Sequence, residues 1–143
     1  IYLVPTFTVF TFHATQGNPY AQAEAKGFRQ RHIDTVQQAL SAGVRVVAGT
    51  DSGGWEHGNN AKELELLVAA GMTPMQAVVA ATGWAAGCLD LEGSIGTVEP
   101  GKFADLTVVD GDPLSDITLL QDKHRIRMVM KEGQMYLDRV SGA

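Results

Sequence analysis

The 143-residue sequence holds a single cysteine, Cys88. An internal disulfide framework is therefore excluded, as is any metal site built from several thiolates. No apolar run approaches the ~20 residues of a membrane-spanning helix, so no membrane partner is expected. Basic residues are outnumbered, 11 Lys and Arg against 16 Asp and Glu, for a net charge of −5. No basic stripe stands out, so nucleic acid is not an expected partner. No segment has the basic start, apolar middle and small-residue cleavage site of a secretory signal. The scarcity of cysteine fits a reducing compartment, and a cytoplasmic location is expected. The length is also too small for a complete (β/α)8 barrel, which needs ~250 residues. The chain does not begin with methionine, and Ile1-Tyr2-Leu3-Val4 reads as the interior of a strand, so a fragment of a longer protein is expected.

What is present is ordinary globular patterning, 45% hydrophobic. Tyr2 to Phe7 reads as a buried strand with Pro5 near its end. Phe7, Val9, Phe10 and Phe12 carry the apolar character into a loop around Gln16-Gly17-Asn18-Pro19. From about Ala21 to Ala42 the pattern turns helical, with Ile33, Val36 and Leu40 on one face and Gly43 at the C-cap. Val44 to Ala48 is a β-branched run of the kind buried in a parallel sheet. Strand, helix and strand form a βαβ unit. Asp51 follows the second strand directly, at the end where parallel α/β folds place their chemistry.

A helix begins near Asn60, with Leu64, Leu67 and Val68 inward and Gly71 as its stop. In this reading Glu63 and Glu65 lie on a solvated face. Thr73-Pro74-Met75-Gln76 spells a capping box with proline at the first helical position. Ala77 to Leu89 is rich in small residues and continues as helix. After Leu91 the character changes: a turn-rich stretch, a strand over Phe103–Asp110, then Ile126–Met130 and Gln134–Leu137 flanking the hairpin turn Lys131-Glu132-Gly133. A boundary near residue 91 divides an α/β segment, 1–90, from a mostly β segment, 91–143.

Several stretches together carry a resemblance. They are Tyr2-Leu3-Val4-Pro5-Thr6, Gly49-Thr50-Asp51-Ser52-Gly53, His57-Gly58, Glu63 to Leu67 with Ala70 to Pro74, and Ala80-Ala81-Thr82. Ile95 to Lys102, Ala104-Asp105-Leu106 and Val129 to Gly133 complete the set. In this order and spacing the chain resembles the C-terminal part of a metal-dependent amidohydrolase-superfamily enzyme, in the branch of imidazolonepropionase-like proteins and Xaa-Pro dipeptidases. The fold class implied is α/β: the last two strands and helices of a (β/α)8 barrel, followed by part of a small β-sandwich.

The resemblance implies a divalent metal, usually zinc, one or two ions, with Asp51 as both metal ligand and proton shuttle. A metal brings the pKa of bound water to near ~7, and a carboxylate beside it can take up the proton and return it to the leaving amine. The substrate implied is a small amide, cyclic or dipeptide. The family draws its other ligands from a His-x-His pair, a lysine or glutamate, and two further histidines on earlier strands. This chain has four histidines and no His-x-His. The partner implied is therefore the missing N-terminal barrel half, and a homo-oligomer is also compatible.

His57 is a candidate substrate-binding residue on the loop after Asp51. His13 lies on the same rim, and Trp55 is a candidate pocket wall. His32 and His124 read as packing or surface residues, Cys88 as a small core residue, and Met72, Met75, Met128, Met130 and Met135 as core filler. Thr50-Asp51-Ser52-Gly53-Gly54 also resembles a serine-protease nucleophile motif, but its flanks are a βαβ unit rather than a double β-barrel. The alternative function is a non-catalytic remnant or interaction module, inactive for want of the upstream ligands.

Overall fold

The computed structural model describes residues 1–16, 18–53 and 57–140. The α/β part begins with β1 (Tyr2–Leu3), followed by α1 (Phe7–Gln16), α2 (Pro19–Ser41) and β2 (Arg45–Val46). Strands β1 and β2 pair in parallel, Tyr2 opposite Arg45 and Leu3 opposite Val46. The ladder runs on through the Val47 amide to the Leu3 carbonyl at 2.9 Å. Val46 and Val47 are buried, as expected for a strand covered on both faces. Helices α3 (Lys62–Ala69), α4 (Pro74–Ala81) and α5 (Gly83–Cys88) follow. Phe7, Val36, Val46, Leu64, Leu67, Met72, Ala77 and Ala80 meet in one core.

Local chemistry explains most of these boundaries. Asn18 caps α2 through the Ala21 amide at 2.9 Å, and Pro19 opens the helix. Gly43 turns the chain out of α2 at φ +75°. The expected capping box opens α4: Thr73 Oγ1 accepts from the Gln76 amide at 3.2 Å, and Gln76 Oε1 accepts from the Thr73 amide at 2.8 Å.

The structure departs from the sequence reading in several elements. The first strand ends at Leu3 rather than Phe7, and the apolar run Phe7–Gln16 is a helix, not a loop. Pro5 has no amide to extend a ladder, and Thr6 turns the backbone at φ +52°. The run Ala77–Leu89 is broken at Thr82 into α4 and α5. Two of the five methionines are not core filler: Met75 and Met135 are exposed, whereas Met72 is buried.

The C-terminal part forms one antiparallel sheet in the order β3 (Leu106–Val109), β4 (Ile126–Lys131), β5 (Gln134–Asp138). Between β4 and β5 the two-residue turn Glu132-Gly133 has φ +52° and +78°, the signature of a type I′ hairpin. Asp105 Oδ1 accepts from the Glu132 amide at 2.7 Å, and the Ala104 carbonyl from the Gly133 amide at 3.1 Å. This gives the Ala104-Asp105 pair a structural task, pinning the turn to the strand beside it. A 3₁₀ turn, Ile117–Gln121, docks this part on α3 through the buried Ile117. No helix among the described residues is long and apolar enough to cross a membrane.

Candidate active site

Parallel pairing places the C-terminal ends of β1 and β2 on one rim. Thr6 leaves that rim after β1 and Asp51 after β2. Both have left-handed backbones, at φ +52° and +51°. Such a conformation is uncommon for any residue with a Cβ and a genuine outlier for a β-branched threonine. It persists only where the surroundings over-determine it, and it clusters at functional sites. Asp51 is exposed. Beside it, Thr50 Oγ1 and Ser52 Oγ share a hydrogen bond at 3.0 Å.

The other sequence candidates spread out from this point. His57 is exposed on the segment between Asp51 and α3, next to Gly58 at φ +89°. Trp55 lies outside the described residues. His13 is on α1 rather than in a loop, exposed, with its ring 5.5 Å from that of Phe12. His124 is exposed in a turn, and Cys88 is half-buried at the end of α5. Among the described residues, no three His, Cys, Asp or Glu side chains come together as a metal cage.

His32 fits its packing role. Its ring lies against Phe7 and Phe10, with centroids at 4.4 and 4.8 Å. Burial lowers its pKa, opposed by a hydrogen bond to the Pro5 carbonyl.

Glu63 does not fit the solvated face expected of it. It has no exposed surface. Its Oε1 accepts from the Phe7 amide at 2.9 Å, and its Oε2 from the Thr8 amide at 2.8 Å and the Thr8 hydroxyl at 2.5 Å. These are the first-turn donors of α1, which no earlier carbonyl can satisfy. Burial pushes the Glu63 carboxyl above its usual range, and the Thr8 hydroxyl and the two amides oppose the shift. The signal was in the spacing: Glu63 is four residues before Leu67 and seven before Ala70, both buried, so helical geometry places it on the inward face. Glu65 is only partly buried. Lys62 Nζ reaches both its oxygens at 2.7 Å and Gln121 Nε2 reaches one at 2.7 Å, and these bonds hold its carboxyl below the usual range.

The family model described as "Amidohydrolase family" matches residues 2–136. The chain belongs to the amidohydrolase family. Ochratoxinase from Aspergillus niger is 28% identical over 141 residues, covering 95% of this chain and 29% of the relative. Among solved structures, a Xaa-Pro dipeptidase with methionine bound in its active site superposes with a TM-score of 0.83 at 34% identity, over 95% of this chain and 34% of that one. The A. niger ochratoxinase structure gives 0.81 at 30% identity, over 96% of this chain and 32% of that one. This amidohydrolase chain thus spans about a third of the length of the relatives it matches. The family is generally metal-dependent.

Proposed function

We propose that this chain is the C-terminal part of a metal-dependent hydrolase that cleaves amide-type C–N bonds, in cyclic amides or dipeptides. The carrying observation is the place of Asp51, at the rim end of β2 with a left-handed backbone, in a chain matched by the amidohydrolase family along nearly all its length. The likeness to an ochratoxinase and a Xaa-Pro dipeptidase supports hydrolysis as the reaction class. In this reading β1 and β2 are the last two strands of a (β/α)8 barrel. The residues after 91 are part of a small β-sandwich. Both outer edges of the two-stranded sheet then pair with strands of the missing barrel half.

Asp51 would supply one ligand to a divalent metal, zinc in this reading, which when bound would lower the pKa of a water to ~7. Its carboxylate also accepts the proton released as the amide carbonyl is attacked and delivers it to the leaving nitrogen, which cannot depart as an anion. His57 contacts substrate from the segment beyond Asp51. The test has two arms. The isolated chain is expected to hold no stoichiometric zinc by metal analysis, because one carboxylate does not retain the ion. The full-length hydrolase is expected to cleave cyclic amides or dipeptides in a chelator-sensitive way. Stoichiometric zinc on the isolated chain would contradict the assignment of ligands. A chelator-insensitive hydrolase would contradict the chemistry.

A further inference from the structure

Glu63 is a fully buried carboxylate that the chemistry above does not use. It stands in the first turn of α3, just past the segment that starts at Asp51 and leads from the end of β2. Its hydrogen-bond donors, Phe7 and Thr8, lie in the corner that follows β1, the strand paired with β2. The start of α3 is therefore tied to the corner that follows β1, and the β1–β2 ladder, which runs as far as the Val47 amide and the Leu3 carbonyl, ties β1 to the strand that precedes Asp51.

The corner is held from the other side as well. The His32 ring packs on Phe7 and Phe10. Directly before Phe7 sits Thr6, in a backbone conformation a threonine avoids. Helix capping alone does not call for such an arrangement. This same chain caps α2 with the adjacent Asn18 and α4 with the adjacent Thr73. Burying a carboxylate is costly unless its oxygens are satisfied, yet α1 is capped by one that comes from 55 residues away.

We propose that Glu63 is a positioning residue for Asp51, tying the first turn of α3 to the exit of the strand beside β2 so that the Asp51 carboxylate stays aimed at the reaction centre. This rests on the reading of Asp51 as ligand and proton carrier. Glu63 touches neither substrate nor metal. Its loss lets the rim widen, and turnover falls more than substrate binding does.

The experiment compares Glu63→Leu, Glu63→Gln and the core control Ile117→Ala in the full-length hydrolase, measuring kcat, KM and Tm for each. Thr8→Ala, which removes one donor, carries the comparison if Glu63→Leu does not fold. Glu63→Leu is expected to lower kcat by about 10- to 100-fold, the scale of an ångström's misplacement, with a much smaller change in KM. Glu63→Gln, which keeps an acceptor oxygen, is expected to recover most of kcat, and Ile117→Ala to lose stability but keep kcat. Equal kcat losses in Glu63→Leu and Ile117→Ala at matched Tm would overturn the proposal, and so would full turnover in Glu63→Leu. Asp51→Asn is run alongside. If it stays active, the reading of Asp51 fails. If it is inactive while Glu63→Leu is not, only the positioning role fails.

Discussion

Glu63 and Thr8, 55 positions apart, are joined twice through one carboxylate oxygen, from the Thr8 amide at 2.8 Å and from its hydroxyl at 2.5 Å. This contact holds the first turn of α1 against α3. Replacing Glu63 with leucine orphans two backbone amides, each worth ~1–3 kcal/mol when buried and unpaired. The expected loss in chemical denaturation is on the order of 3 kcal/mol, and Glu63→Gln is expected to lose less. Equal stability in the leucine variant and the parent would show that water replaces the carboxylate.

The second prediction concerns pH. Burial holds the His32 imidazole below its usual pKa near 6.5. The unfolded chain then binds protons more readily than the native one. The His32 contribution to stability is full above that usual value and is lost as pH falls through the depressed native value. A Tm series from pH 7.5 down to 5 is expected to slope less in His32→Phe than in the parent. Identical slopes would contradict the assignment.

Glu65 gives a separate acid response. Its carboxyl is held low first by Lys62 and then by Gln121, which reaches it from the 3₁₀ turn. This contribution is present above the carboxyl's unfolded pKa and disappears as pH falls through the lowered native one. Glu65→Gln is expected to flatten the loss of stability below about pH 4, near the ordinary carboxylate range. A double variant with Gln121→Ala reports whether the bridge between α3 and the C-terminal part is the cause.

Gly96 carries the fourth prediction. It has φ +92°, and a Cβ there would meet the Ala86 Cβ at 2.5 Å, the Thr82 carbonyl oxygen at 3.1 Å and the Gly83 Cα at 3.2 Å. Two of these neighbours are backbone and cannot rotate away. Gly96→Ala is expected to destabilise by about 2 kcal/mol or more, combining backbone strain with overpacking. Gly93, where a Cβ meets nothing, is the matched control, and Gly93→Ala is expected to be near neutral. A neutral Gly96→Ala would show that the turn can move off α5.

How legible each element was depended on where its partners lie. Helix α2 was readable because Ile33, Val36 and Leu40 repeat at helical spacing, although Asn18 and Pro19, which cap and open it, read as part of a loop. The capping box at Thr73 and the Glu132-Gly133 hairpin were readable because each is settled within four residues. Helix α1 was not, because its first donors are satisfied by Glu63 from a distant helix and no local residue announces the start. The break at Thr82 was not announced by the small-residue run Ala77–Leu89, and Gly96 lies close to it. At the site, the position of Asp51 after a buried strand was readable. The buried role of Glu63 was hidden by reading a charged pair as solvated, although its spacing to Leu67 and Ala70 pointed inward.

The most direct test of the central claim is Asp51→Asn in the full-length hydrolase, assayed for amide turnover and for bound metal. Asparagine keeps the shape and one oxygen but cannot carry the proton. The account predicts that kcat falls by ~100-fold or more, the range of a lost general acid–base group, with reduced metal content and an unchanged fold. An Asp51→Asn enzyme with the parent's turnover and metal content would contradict it.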